Sequence, residues 1–321
     1  MKNNILVPLN NSEFMQQYID AGADEFYMGF YDHNYEKKFG DFSEINRMSG
    51  FKHLANKYTF PEMLDVVKKV KDAGKPIFIT LNAAVYSNAA LEYIYLYYDK
   101  LYDAGADGVI ISIPEMVKPA LEKKLAPIAS TMCGIYNSDI VDVYKRLGVS
   151  RMILPRDLSI AEIEDIIKKN PDVDYEVFLM RNGCRFSDSH CLGTHRPEHG
   201  SICHMLRSVD CNIIARDNSF SYQHDTELNH ILYNKYYHVF ATCGLCALFD
   251  FVKNGIKSYK IVGRADSTDQ IVEDIRLVKK NIDIALGAKD IEDYLLNMIR
   301  IPNSYEGCKL GFGCYYPEIR F

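Results

Sequence analysis

No apolar run in this sequence approaches the roughly 18 to 20 residues needed to cross a bilayer. The amino-terminal MKNNILVPLNNSEF holds only one short apolar stretch, Ile5 to Leu9, before Asn10. A helical membrane span is therefore not expected, and the cytoplasm is the expected location. Positive charge is not in surplus either: the net charge of −6 gives no whole-chain attraction to nucleic acid, so an RNA partner would need a local basic patch. No G-x-G-x-x-G follows the first strand-like run, which removes the dinucleotide-binding fingerprint. No G-x-S-x-G, H-E-x-x-H or S-x-x-K element stands in the strand and helix context its chemistry requires, so covalent or zinc-assisted hydrolysis gains no support from motifs.

What is present is rhythm. The 321 residues, 48% hydrophobic and 25% charged, suffice for one large α/β barrel or two medium domains. Eight short β-rich runs alternate with amphipathic stretches: ILVPL (5–9), EFYMG (25–29), PIFITL (76–81), GVIIS (108–112), PIAST (127–131), RMILP (151–155), YEVFLM (175–180) and YKIVG (259–263). Most are continuous apolar runs, as expected when helices cover both faces of a parallel sheet. Helix starts are marked by Ser12, by Thr59 ahead of Pro61, and by Ser159 with Glu162 three positions on, a capping box. One helix-to-strand junction recurs, as AGADEFYMG (21–29) and AGADGVIIS (104–112). A helix-plus-strand period repeated about eight times predicts a (β/α)8 TIM-like barrel, with chemistry in the loops after the strand carboxyl ends. An open doubly wound sheet is the alternative.

The rhythm breaks once. Between the runs ending near Met180 and starting near Tyr259 lies a long insertion, with its Cys-rich part at 181–250, that holds six of the nine cysteines. The reading divides the chain into a barrel over 1–286, including that insertion, and an extension over 287–321 that closes the barrel; Cys308 and Cys314 in the extension receive no role. Cys184, Cys191, Cys203, Cys211, Cys243 and Cys246 are thiols clustered by sequence. In a reducing compartment such thiols hold metal or do redox chemistry more often than they form structural disulfides. From spacing alone, metal binding, a redox dithiol and inert thiols all stay open, although C-G-L-C at 243–246 is one half of a zinc-type pair. His190, His195, His199 and His204 could complete a zinc site, shuttle protons or stand in solvent. Arg181, Arg185, Arg196 and Arg207 make the insertion locally basic, suited to an anionic ligand or simply solvated. At the strand ends, Asn82, Ser130, Arg156 and Arg264 are candidate substrate-binding residues, since a barrel gathers such positions at one mouth and arginines there suit a carboxylate-bearing small molecule. Asp157 is read as a cap for the helix that follows it.

The order of AGADEFYMG, GKPIFITLN, AGADGVIIS, IASTM, LGVSRMILPRDLSIAEI, YEVFLMRNGCRFSDSHC and LFDFVKNGIKSYKIVGR resembles the peptidase U32 family over roughly residues 5–265. The combination of L-G-V-x-R-x-I-L-x-R-[ED]-L, E-V-F, C-x6-C and G-I-x-S-x-K-I-x-G-R carries the resemblance. It implies a 4Fe–4S cluster on cysteines and oxygen-independent hydroxylation of a small molecule or an RNA base, with prephenate the implicated oxygen source in the RNA-directed members. Under that resemblance Cys184, Cys191 and Cys203 are metal ligands, and one of Cys243 and Cys246 is the fourth. The family title implies a peptidase instead, zinc would replace the cluster in a structural site, and some relatives work as heterodimers, so a non-catalytic subunit beside a homologous partner chain is a further reading. Three positions depart from the family pattern: Val262 for the glutamate of K-I-E-G-R, Met132 for the glutamine after A-S-T, and Ile113 for the aspartate before a strand-end proline. Loss of those polar groups implies a changed substrate or dependence on a partner.

Overall fold

The computed structural model describes residues 3–40, 43–184, 187–191, 242–302, 308 and 313–319, together with the backbone of 211–214 and 221–224. Eight parallel strands close into a barrel. They are β1 (Asn4–Pro8), β2 (Glu25–Met28), β3 (Ile77–Leu81), β4 (Gly108–Ile111), β5 (Ala126–Ala129), β6 (Arg151–Ile153), β7 (Asp174–Met180) and β10 (Ser258–Ile261), and β10 seals the ring between β7 and β1. Each coincides with one of the eight apolar runs. Strands such as β3 are buried at every position, which is why the runs are continuous and do not alternate. Outside the barrel lie α1 (Met15–Ala21), α2 (His33–Phe39), α3 (Phe60–Asp72), α4 (Asn88–Ala104), α5 (Val117–Glu122), α6 (Ser138–Leu147), α7 (Ile160–Lys169), α8 (Leu248–Lys253), α9 (Thr268–Gly287) and α10 (Ile291–Asn297). Within the insertion, β8 (Cys211–Ile214) and β9 (Ser221–His224) form an antiparallel pair where the sequence pattern suggests no strand.

The repeated A-G-A-D junction is a repeated physical device. Gly22 and Gly105 take left-handed φ of +119° and +89° at the ends of α1 and α4, and the alanine after each donates its N–H back into the helix, to Tyr18 and Leu101. The aspartate then ties the new strand to its neighbour. Asp24 accepts the Ile5 N–H at the start of β1 at 3.0 Å, and Asp107 accepts the Ile77 N–H at the start of β3 at 2.8 Å. Thr59 and Ser159 both form full capping boxes, with Glu62 and Glu162. Two start signals shift. Asn11, not Ser12, caps the first helical turn, and Asp157 caps nothing, its carboxylate instead accepting the Tyr136 hydroxyl at 3.2 Å.

The lower interior of the barrel is charged. Arg151 at the start of β6 donates to Glu25 of β2 at 2.6 Å and to Glu176 of β7 at 2.9 Å, while Lys260 of β10 reaches the other oxygen of Glu176 at 2.8 Å. Burial alone would raise the Glu176 pKa, but Lys260 and Arg151 outweigh it and hold the carboxyl below its ordinary value. Two carboxylates meet two cations here, and the aromatic rings of Tyr27 and Phe78 lie under Lys260 and Arg151 at 4.1 and 4.8 Å.

Candidate functional site

At the opposite end, where the strands finish, charge does not balance. Arg264 follows β10 and is 8% exposed. Its Nη1 donates to Asn46 Oδ1, Asn56 Oδ1 and Thr80 Oγ1 at 3.1, 3.2 and 3.0 Å, all neutral acceptors. Among the described residues no carboxylate stands within ion-pair distance of it. Burial drives its pKa down to about 10, with Arg47 adding to the effect. Room for the guanidinium comes from Gly29 at the end of β2, where a Cβ would sit 2.4 Å from Arg264 Nη1 and 2.2 Å from Asn56 Oδ1.

Arg47 and Arg156 share one counterion. Both donate to the same oxygen, Oδ1, of the fully buried Asp188, while its Oδ2 and the Arg156 Nε are buried without a hydrogen-bond partner. Burial would raise the Asp188 pKa, yet the two guanidiniums hold it below the carboxylate norm. Arg156 also stacks 4.0 Å over the Phe178 ring. Arg47 lies within electrostatic reach of both Arg156 and Arg264, so the three form one positive field, in which Asp188 is the carboxylate bonded to Arg47 and Arg156 among the described residues.

Asp188 sits inside the C-x6-C segment. It opens the single turn Asp188–His190, and its carbonyl accepts the Cys191 N–H at 3.1 Å, so the clamp on Asp188 positions Cys191 directly. Arg47 lies within electrostatic reach of both Cys191 and Cys184. Cys184 also lines a cavity of about 260 Å³ with Arg156, Thr242, Cys314 and Tyr315. Two thiols held beside an excess of guanidinium are a donor set that suits a thiolate-ligated centre, because the arginines offset the charge that such a centre carries. Among the described residues no group of three or more His, Cys, Asp or Glu side chains is close enough to hold a metal ion. Cys203 lies outside the described residues.

The four expected substrate contacts divide into two kinds. Arg156 and Arg264 bring charge to the mouth. Asn82 and Ser130 join each other, with Asn82 Nδ2 donating to Ser130 Oγ at 3.1 Å; Ser130 Oγ also caps the turn Thr131–Cys133, and Asn82 Oδ1 accepts the Arg47 N–H. Cys243 pairs with Met180 at the end of β7 and Cys246 follows three residues on, and their electrostatic neighbours include Cys308 and Cys314. Sequence reasoning missed Arg47 and the anchoring role of Asp188. The available signal was the long connection from Gly29 to Thr59 after a barrel strand, the place where such enzymes keep binding residues.

Known proteins resemble the chain along nearly all of this frame. An uncharacterized protease of Methanocaldococcus jannaschii is 25% identical over 88% of this chain and 65% of its own length. The tRNA hydroxylation proteins P1 and P2 of Bacillus subtilis are 24% and 22% identical, over 88% and 90% of this chain and 63% and 88% of theirs. The chain thus spans about two thirds of the length of the first two. A U32 peptidase of solved structure shares the fold at a TM-score of 0.50 and 13% identity, covering 81% of this chain and 92% of that one. No described helix is long and apolar enough to cross a membrane. The profile of Peptidase family U32 matches residues 10–319, across the barrel, the C-x6-C segment and the mouth arginines alike, and the chain belongs to that family.

Proposed function

We propose that this protein is an iron–sulfur enzyme of oxygen-independent hydroxylation, acting on a small molecule or an RNA base, with a carboxylate-bearing molecule held at the barrel mouth. The observation that carries this reading is the positive surplus at the mouth: Arg47 and Arg156 share one carboxylate within electrostatic reach of Cys184, and Arg264 is buried with no carboxylate partner among the described residues. A buried cation without a counterion is costly unless a ligand supplies one. Arg264 would pair with a ligand carboxylate. Asp188 holds Arg47 and Arg156 on the segment between Cys184 and Cys191, and the unpartnered Arg156 Nε is a further donor for an anion. Cys184, Cys191 and Cys203 would hold a 4Fe–4S cluster, which supplies electron transfer when bound. The names of the Bacillus relatives support the hydroxylation class.

Anaerobic purification with iron and acid-labile sulfide quantified is the test. Brown protein that loses its colour when Cys184 and Cys191 become serine is the expected result; absence of iron and sulfide after anaerobic reconstitution would sink the reading.

A peptidase is the second reading, favoured by the name of the Methanocaldococcus relative and by one geometric fact. Ser187 Oγ lies 3.0 Å from His190 Nδ1, a nucleophile and base pair in outline. Asp188, the adjacent carboxylate, is committed to Arg47 and Arg156 and does not orient that histidine. Casein cleavage that survives iron removal and disappears in Ser187→Ala would establish this reading in place of the first.

A further inference from the structure

The chain that leads out of β7 toward Cys184 is held in a conformation it would not choose by itself. Arg181 and Asn182, the first two residues after the strand, both take left-handed backbone, with φ of +66° and +49°. Glycine adopts that region freely, asparagine tolerates it, and arginine rarely enters it. Two such residues in succession end the extended run of β7, and they stand immediately before Gly183 and Cys184. Backbone strain of this kind persists only where the surroundings over-determine it. Closing the barrel does not require it, because Met180 is the last residue of β7 paired with β10 and the strained pair lies beyond it.

Arg181 is fixed from three separate segments. Its N–H donates to the Thr242 carbonyl at 2.6 Å, and its carbonyl accepts the Tyr315 hydroxyl. Its guanidinium forms a two-pronged pair with Asp274 of α9, Nε to Oδ2 and Nη2 to Oδ1, both at 2.7 Å. Asp274 is buried and takes a further bond from Gln270 Nε2 at 3.1 Å. Asn182 is fixed from a fourth segment, the turn after β10: its Nδ2 donates to Asp266 Oδ2 at 3.0 Å. Asp266 is itself anchored, its N–H donating to the Gly263 carbonyl at 3.0 Å and its carbonyl accepting from Asn10 Nδ2 at 2.7 Å. Gly183 then passes so close to Thr242 that a Cβ there would sit 2.5 Å from Oγ1. Asp266 stands two residues after Arg264, so one hydrogen bond ties the turn that carries the Arg264 guanidinium to the approach of Cys184.

We propose that Asp266 and Asp274 are positioning residues for Cys184: acting through Asn182 and Arg181, they hold the left-handed pair in place and so preset where the Cys184 sulfur stands. The proposal rests on the reading of Cys184 as a cluster ligand. A preset ligand loses less freedom when the metal arrives, and removing residues that orient a ligand from behind typically lowers metal affinity about 10- to 100-fold. Stability and metal retention therefore part company at Asn182. Glycine there relieves the strain and removes the Asp266 bond together, so the fold holds while the thiol loosens.

The test follows the full-length protein, reconstituted anaerobically, by its iron retention against a competing chelator and by the paramagnetic resonance spectrum and midpoint potential of the reduced centre. In the metal-free form it follows the rate at which Cys184 is alkylated, read on its own peptide by mass spectrometry. Asn182→Gly should unfold close to the wild-type temperature, yet hold iron at least about tenfold less tightly and alkylate faster at Cys184. Asp266→Ala should repeat both changes, and Asp266→Asn, whose amide oxygen still accepts from Asn182, should reverse them. Asp274→Asn, which keeps an acceptor for Arg181 but not the charge, should shift the spectrum and the potential with a smaller loss of iron. Iron retention and spectrum unchanged in both Asn182→Gly and Asp266→Ala overturn the proposal, as does a loss of iron that only follows a loss of folded protein. A wild type that takes up no iron removes the iron–sulfur reading instead, and the positioning role then stands if Cys184 alkylation responds to Asn182→Gly and Asp266→Ala and falls if it does not.

Discussion

Both ends of this barrel bury charge, and they do so in opposite ways. At the lower end Arg151 and Lys260 meet Glu25 and Glu176, cation for carboxylate, with every partner supplied by a barrel strand. At the mouth Arg47 and Arg156 share Asp188, while Arg264 donates to neutral acceptors and has no carboxylate partner among the described residues. A balanced buried network holds a shape. An unbalanced one costs stability until something anionic arrives, and that difference separates the part of the molecule that is scaffold from the part that binds.

The largest effect should come from breaking the balance below. Glu176→Ala leaves Arg151 with Glu25 alone and Lys260 with no carboxylate, and should cost about 3–5 kcal/mol of unfolding free energy in urea denaturation. A loss below about 1 kcal/mol would mean that these cations are solvated and the comparison is mistaken.

Arg264→Met inverts the expectation. Each of its three acceptors keeps another hydrogen bond: Asn46 Oδ1 from the Met48 N–H, Asn56 Oδ1 from Asn46, and Thr80 through its own donation to the Met28 carbonyl. Stability should stay level or rise, while calorimetric affinity for the carboxylate-bearing ligand proposed for the mouth, with prephenate as the probe, should fall about 10- to 100-fold, about 1.4–2.8 kcal/mol. The same arginine gives a pH signature. Its folded pKa is depressed to about 10, so anion binding that is present at neutral pH should fade as pH rises through about 10. For stability the sign is reversed, because the buried charge opposes folding below that value and the opposition lifts above it. An affinity flat across this range would remove Arg264 from the binding site.

Asp188 and Glu176 should govern the acid side. Both carboxyls are held below their ordinary values, so their contribution to folding is complete above a pH of about 4 and is lost as pH falls through their folded values. Acid denaturation followed in wild type and Glu176→Ala should differ most above that range and converge below it. Curves that stay parallel throughout would show that the Glu176 carboxylate is not what the network needs.

How much of this was legible in the sequence follows from the same contrast. The eight strands could be read because a strand buried on both faces leaves an uninterrupted apolar run, and Arg156 and Arg264 because they stand immediately after such runs. Arg151, Glu176 and Lys260 were visible as letters of the family motifs L-G-V-x-R, E-V-F and K-I-x-G-R, yet their common purpose was not. Their pairing depends on which strands face each other across the barrel, which no local pattern encodes. Arg47 and Asp188 were less visible still: they are 141 residues apart, both in segments without periodicity, and only barrel closure brings them together. The thiols show the limit in another form: the family resemblance groups one of Cys243 and Cys246 with Cys184, and the chain also brings Cys314, a cysteine given no role from sequence, beside Cys243.

The smallest expected effect provides the neutral point for the comparison. Ser159 caps α7, with its side chain taking the Glu162 N–H at 3.3 Å while Glu162 returns to the Ser159 N–H at 2.8 Å. Ser159→Ala removes one half of that exchange, in an exposed turn where water can replace it, and should cost about 1 kcal/mol in urea denaturation. Ser159 and its capping partner Glu162 border the cavity lined by Cys184 and Arg156, and Glu318 accepts the neighbouring Ile160 N–H at 2.6 Å, so the cap lies close to the mouth while Ser159 itself carries no charge. The iron content and the affinity for a carboxylate probe that the proposed function expects should therefore remain at wild-type values. If ligand affinity fell here as far as it does in Arg264→Met, the mouth would be responding to loop geometry instead of to its excess of positive charge, and the contrast between the two ends would lose its meaning.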